Sequence, residues 1–296
     1  MSNNPVRQHY IPKMLLKRFS HDDSRINIYR KETNKFLPNQ SLDNHFIIKD
    51  FYTHKLQQNL TTEYPALNDH INKLLIEDNY YELEKQLSKL ESNATAVFRK
   101  IEENPHTPIN EEDAEILKQF IIILIIRTPW GRGNFLPTFL EPAINASQIT
   151  ESVRDFLIHE TKNNGTLLLS LLLFKPYLSQ MMQRIFQSNI MIFDNPTKEP
   201  FIQSDVPVLI DNEHTIMIFP ISKNHILYWN HDRNRKYNPI THPISRLERY
   251  MKNCRNEINF INVLMFTAAE KCIAGSLDEE SFLYLNEISK THSQVI

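Results

Sequence analysis

His9 and Tyr10 stand just ahead of Pro12 in the stretch QHYIPKMLLKRF, close to the amino end of the chain. An imidazole is one of the few side chains able to take or release a proton near neutral pH, so His9 is a candidate general base or metal ligand. Other chemically capable groups are spread along the sequence. Lys49, Asp50, Phe51 and Tyr52 place an amine, a carboxyl and a phenol within one short segment. Glu91 lies in QLSKLESNA among small and polar neighbours. Arg127 closes the most apolar segment of the chain and precedes Thr128 and Pro129. Ser204 and Asp205 precede Pro207 in QSDVPV, and HDRNRKY at 231–237 offers Arg233, Arg235 and Lys236 to a phosphate.

Each of these has a plain structural use as well. His9 and Tyr10 can cap a first helix and bond to a sheet. Asp205 can form a side-chain-closed turn stiffened by the following proline. Arg127 at a helix C-terminus is favoured by about 0.3–1 kcal/mol through the helix dipole alone. If it is buried, that account fails, and it needs a carboxylate or a phosphate as partner. Asp50, Glu91 and Asp205 are the candidates. Lys49 and Asp50 can end a surface strand, Glu91 can sit on an exposed helix face, and a basic hairpin loop can serve solubility alone.

Several function classes are excluded by what the chain lacks. Four glycines (Gly131, Gly133, Gly165 and Gly275) cannot build GxGxxG or GxxxxGK[ST], so no nicotinamide, flavin or P-loop nucleotide site is expected. Neither GxSxG nor HExxH occurs. Cys254 and Cys272 make no CxxC pair and no zinc spacing, which fits a reducing, cytoplasmic setting. No apolar leader opens the sequence, and the longest apolar runs, FIIILII at 120–126 and LLLSLLLF at 167–174, are far shorter than the roughly 20 residues of a membrane helix. No membrane association is expected.

Net charge is −2, so the whole chain is not a polycation. The charge is nonetheless uneven. Residues 1–36 carry eight Lys/Arg against three acids, 223–255 carry eight against two, and 77–115 carry eleven acids against four bases. Two basic segments flank an acidic middle, an arrangement that suits a nucleic acid, a nucleotide or a protein partner as well as a solvated surface.

The elements that must position these groups follow from periodicity. Pro12 and the spacing of Met14, Leu15, Leu16 and Phe19 predict a short helix over 10–19. RINIYRKETNKFLPN reads as a β-hairpin. From Glu63 to Glu103 the apolar residues follow helical spacing, with a break near Asn79 and a stop at Asn104-Pro105. Asn110 ahead of Glu111, Glu112 and Asp113 is an N-cap with acids in the first turn, and that helix runs to Ile126. Further helices are expected over 148–161 and 166–189. IMIFD, PFIQSD, VPVLID, TIMIFPI and HILYWN then predict antiparallel strands, and helical spacing returns from Ser245 onward. The expectation is an α+β fold, with a mostly helical block over about 63–189 packed on a mixed or antiparallel sheet and a C-terminal helical segment. It is read as one interlocked domain over 1–296, made of an N-terminal helix and hairpin (1–62), the helical block (63–189), the sheet (190–242) and C-terminal helices (243–296).

Taken in order, His9-Tyr10-x-Pro12 with Leu16 and Phe19, Lys49-Asp50-Phe51-Tyr52, Glu91 on a helix, Arg127-Thr128-Pro129, Ser204-Asp205-x-Pro207-Val208, Phe219-Pro220-x-Ser222 and a late Asn-rich helix ending in Ala-x-x-x-Ile-Ala-Gly resemble the bacterial domain-of-unknown-function family 4238. The resemblance covers nearly the whole chain. It implies membership of an uncharacterised family with suspected ties to bacterial defence or mobile elements. Two positions depart from its pattern. Leu124 or a neighbouring isoleucine stands where the family looks to have Gln, and Val206 where it looks to have Asn. A separate stretch, Arg154 to His159, resembles the Arg-polar-x-x-x-His motif of helical HEPN ribonucleases, but such spacing is common by chance and the rest of the chain does not follow that family.

The functional expectation is that His9, Tyr10, Asp50, Glu91, Arg127, Ser204 and Asp205 meet in one pocket. On one reading the chain is a bacterial effector enzyme acting on nucleic acid or a nucleotide by phosphoester hydrolysis, in a setting such as phage defence. His9 is then the base, Arg127 holds the phosphate, and Asp205 with Asp50 or Glu91 orients His9 or holds a divalent metal such as Mg. Tyr10, Lys49, Tyr52, Ser204, Arg233, Arg235 and Lys236 would contact the substrate. On the alternative reading the chain is a non-catalytic sensor or binding module, and the same polar residues form a structural network. Substrate, metal and oligomeric state are not legible.

Overall fold

A computed structural model describes residues 7–49, 80–105, 107–135, 151, 154–155, 189–195, 197–210, 216–230 and 260–292. Contacts divide the chain into two compact units. The first comprises Met1–Tyr10, Ile47–Thr95 and Glu115–Ile185, the second Ile11–Phe46, Ala96–Ala114 and Phe186–Ile296.

In the first unit, β1 (Arg7–His9) pairs antiparallel with β4 (Ile47–Lys49), and His9 faces Ile47. Helix α2 (Tyr80–Glu103) contributes Leu87, Leu90 and Ala94 to the interior at helical spacing. Helix α3 (Glu111–Ile126) behaves differently. Every residue from Phe120 to Ile126 is buried, so this segment has no polar side at all. A helix that is apolar all round is stable only when covered on all faces. The far ends of α2 and α3 belong to the second unit. There Asn104-Pro105 ends α2, and Asn110 Oδ1 accepts the Asp113 N–H at 2.8 Å, the N-cap expected from sequence.

The second unit holds the two larger antiparallel sheets. The short helix α1 (Lys13–Leu16) starts at Pro12, whose carbonyl accepts the Leu15 and Leu16 N–H groups, and a 3₁₀ turn carries it to Phe19. The hairpin of β2 (Arg25–Arg30) and β3 (Lys35–Ser41) forms as expected, with a shift in register between Ile26 and Ile28. Asn27 at that shift donates to the Leu277 carbonyl and accepts the Asn39 N–H, so its side chain gives the displaced Asn39 amide a partner. Among the described strands, one sheet runs β3-β2-β10-β6, with β6 at Gln203–Ser204 and β10 at Cys272–Gly275. The other runs β5-β9-β8-β7, over Asn189–Asp194, His225–Asn230, Ile216–Pro220 and Leu209–Ile210.

Strand β10 corrects the sequence reading, which took Ala-x-x-x-Ile-Ala-Gly as the close of a helix. Helix α4 (Phe260–Ala268) ends first, and residues 272–275 lie between β2 and β6. The helical spacing of 261–268 stops before this segment. Gly275 is fixed there by space, because a Cβ would lie 2.9 Å from the Ile202 side chain. Helix α5 (Glu279–His292) follows and buries Phe282, which stacks on Tyr29 at 5.9 Å. Tyr29 also meets Phe266 of α4 at 5.4 Å. These three rings tie hairpin, α4 and α5 into one core.

The fold is therefore α+β, with antiparallel sheets and a C-terminal helix. The helices expected over 63–79, 156–161 and 166–188, and the segment 231–259, lie outside the described residues.

Candidate functional site

Arg127 is the first residue after α3, and its guanidinium is buried (6% exposed side chain). Burial makes the dipole account insufficient, and the structure supplies the required partner. Nη1 donates to Glu91 Oε1 at 2.6 Å, and Nη2 donates to the His9 carbonyl at 2.7 Å. One cation thus joins strand β1, helix α2 and the end of α3, all within the first unit. Thr128 and Gly131 set its exit path. Thr128 Oγ1 donates to the Ile125 carbonyl and accepts the Gly131 N–H at 2.9 Å. A Cβ on Gly131 would lie 1.8 Å from the Ile125 carbonyl oxygen, so only glycine permits this close approach. The Arg-Thr-Pro-x-Gly run is a fitted end to a buried helix.

His9 contributes its main-chain carbonyl to this cluster, and Tyr10 beside it is buried. Gln8, on the same strand, is buried too, and nothing in its sequence context set it apart. The departure at Leu124 is apolar filling, since Leu124 is as buried as its isoleucine neighbours.

Asp205 belongs to the second unit. It is buried, and its carboxylate is held by main chain. Oδ1 accepts the Glu270 N–H at 3.0 Å, and Oδ2 accepts the Lys271 and Cys272 N–H groups at 2.7 and 3.2 Å. It closes a remote turn instead of the local one expected from QSDVPV. Burial pushes its pKa up to about 6, against the three N–H bonds that favour the charged form. Lys31, at the end of β2, answers from the other side. Its ammonium donates to the carbonyls of Phe266, Thr267 and Ala269 at 2.9, 3.3 and 2.6 Å. Burial lowers its pKa and the Asp205 charge opposes that. The passage from α4 to β10 is thus held at both polarities, its carbonyls by a cation and its amides by an anion. Cys272 in the same turn has its thiol pushed up to about 12, mainly by burial, and is not a thiolate at neutral pH.

Ser204 makes a local closure. Its Oγ donates to the Val206 carbonyl at 2.7 Å and accepts the Val206 N–H at 3.2 Å. Val206 itself is buried, so the apolar residue at that departure leaves no side-chain polar atom to satisfy. Neighbouring Gln203 donates to the Pro220 carbonyl and accepts the Ser204 N–H. Ser222 approaches His225 Nδ1 at 3.2 Å, and His225 Nε2 lies 3.5 Å from Asp194 Oδ1. The order resembles a nucleophile relay, but the Ser222 oxygen is buried and already accepts the Asn224 and His225 N–H groups. It closes the β8–β9 turn.

Of the residues singled out from sequence, the structure brings together Arg127, Glu91 and His9. Asp205 and Ser204 are neighbours in the other unit. The side chain of Lys49 and the whole of Asp50, Tyr52, His159, Arg233, Arg235 and Lys236 lie outside the described residues. Sequence reading missed Lys31, Asn262 and Ser222 as anchors. Lys31 looked like an ordinary hairpin charge. Asn262 gave one signal, an amide inside the apolar helix FINVLMF, and it takes the Ile202 N–H and donates to the Pro200 carbonyl. No group of three or more His, Cys, Asp or Glu placed to hold a metal ion occurs among the described residues. No helix among them is long and apolar enough to cross a membrane.

Fold and site together define an α+β protein whose buried charges fasten main-chain segments. Residues 7–279 match the family described as protein of unknown function (DUF4238), and the chain belongs to that family. No curated protein and no solved structure matches it.

Proposed function

We propose that the chain is a non-catalytic binding or sensing module for a phosphate-bearing partner, a nucleic acid or a nucleotide. The partner is taken by the basic segments 1–36 and 223–255, and the polar family residues serve as scaffold. The observation that supports this reading is the commitment of Asp205 and Arg127 to bonds within the fold. Asp205 spends both oxygens on three N–H groups, and Arg127 spends its fork on Glu91 and the His9 carbonyl. A hydrolase built on them would need Arg127 open to a phosphate and Asp205 open to an imidazole or a cation.

The test is a pair of measurements on the full chain. Fluorescence anisotropy with a labelled oligonucleotide and a labelled nucleotide should show binding that weakens steeply between about 50 and 200 mM salt, as counterion release requires. Asp205→Asn and Glu91→Gln should lower the melting temperature and retain that binding below it. Turnover of either ligand by the unaltered chain, lost in Asp205→Asn at an unchanged melting temperature, overturns the reading in favour of phosphoester hydrolysis.

A further inference from the structure

Helix α5 carries two stripes. Phe282, Leu285 and Ser289 point into the core, with Phe282 against Tyr29 and Phe36. The other stripe is Glu280, Leu283, Tyr284 and Glu287, at spacing i, i+3, i+4, i+7, which puts all four on one face. Leu283 and Tyr284 are the large apolar side chains left exposed among the described residues, at 44% and 49%. They line an open hollow of about 520 Å³, walled by Asp278 and Ser281 at the start of α5 and by Glu199 from the β5–β6 connection. The Glu199 segment is itself held, since its carbonyl accepts from Asn195 Nδ2 at 2.6 Å. Asp278 is fixed by the Ser281 N–H at 2.9 Å, which holds its carboxyl below the usual range. The described lining thus combines four carboxylates with an apolar pair and includes no lysine or arginine.

We propose that this hollow docks a lysine- or arginine-rich segment of a partner protein, anchored by one apolar side chain on Leu283 and Tyr284. Charge complementarity selects the partner. Four carboxylates around an exposed leucine and tyrosine repel nucleic acid and acidic surfaces and favour cations that flank an apolar residue. Tyr supplies a ring for the anchor and a face for a guanidinium. The residues lining this hollow are not part of the basic segments invoked above, and the proposal does not depend on that reading.

The experiment uses the full chain and three labelled peptides. One alternates Lys/Arg around a single Leu, one replaces that Leu with Ser, and one replaces the cations with Glu. Anisotropy should show binding of the first peptide alone, weakened about tenfold or more by Leu283→Ser/Tyr284→Ser and by Glu280→Lys/Glu287→Lys. All four substituted positions are outward-facing, so circular dichroism and melting temperature should stay unchanged in both variants. Equal binding of the Ser peptide, or unaltered affinity in the variants, overturns the proposal in favour of nonspecific charge attraction. Absence of binding also overturns it. Concentration-dependent dimerisation by sedimentation, abolished by Leu283→Ser/Tyr284→Ser, replaces the partner by a second copy of the chain.

Discussion

Replacing Asp205 by asparagine keeps the size of the side chain, removes its charge and turns one accepting oxygen into an NH2 donor, so the pH dependence of its cost answers one question: which force governs this carboxyl in the folded chain. Three main-chain N–H bonds pull its pKa down and burial pushes it up, and burial wins, to about 6 from an ordinary 3.8. A carboxyl raised on folding binds its proton more tightly in the native state. Its contribution to stability is therefore complete below pH 3.8 and is lost as pH rises through about 6. Between pH 7 and pH 5 the native group takes up most of one proton and the unfolded group almost none. Integrating that difference at about 1.4 kcal/mol per pH unit gives roughly 1 kcal/mol of added stability. An asparagine in its place cannot titrate, so the Asp205→Asn variant should lack this increment. Urea unfolding of both chains, followed through the two tryptophans, yields the difference at each pH, and other titrating groups cancel between them. The stability deficit of the variant should grow by about 1 kcal/mol as pH falls from 7 to 5. A deficit that stays constant, or shrinks on acidification, refutes the reasoning, because the N–H bonds would then outweigh burial.

Three further outcomes follow from the same geometry. Glu91→Ala takes the carboxylate away from the buried Arg127 guanidinium and should cost about 2–3 kcal/mol in equilibrium unfolding, with Glu91→Gln losing less. Gly131→Ala drives a methyl into the Ile125 carbonyl and should cost about 2 kcal/mol or more; an unchanged melting temperature would show that the end of α3 shifts without strain. Lys31→Met keeps the apolar stem but removes the donor to three carbonyls, and should cost about 2 kcal/mol and speed amide exchange in 267–272.

Elements with a strong local signal were legible in the sequence. The Asn110 cap, the 25–41 hairpin, the buried run 120–126 and the late antiparallel strands all follow from spacing and capping chemistry. The need of Arg127 for a carboxylate was also legible, because a cation closing so apolar a segment had to be paired; which of three acids it meets depends on packing. Cys272–Gly275 was not, because four residues carry too little periodicity to separate a strand from a helix end. Nor was the role of Lys31. Its partners are main-chain carbonyls some 235 positions away, and a carbonyl has no sequence signature.

Short polar motifs scattered along a chain suggest an active site, since catalysis gathers side chains from distant segments. Here another pressure acts on the same residues. β6 and β7 are two residues long, β1 and β4 three, and strands this short supply few ladder bonds. A buried N–H or carbonyl left unpaired costs about as much as a lost hydrogen bond, so side chains must complete what the strands do not. Gln203 reaches Pro220, Asn262 reaches Pro200 and Ile202, Ser204 reaches Val206, Ser222 reaches the next turn, Asp205 reaches 270–272 and Arg127 reaches His9. Each acts on one short main-chain stretch where an amide, hydroxyl or charge of that length is needed. Arg127, Ser204, Asp205 and Ser222 of the family pattern thus complete main-chain bonding, which leaves the proposed partner contacts to the basic segments and to the outward stripe of α5.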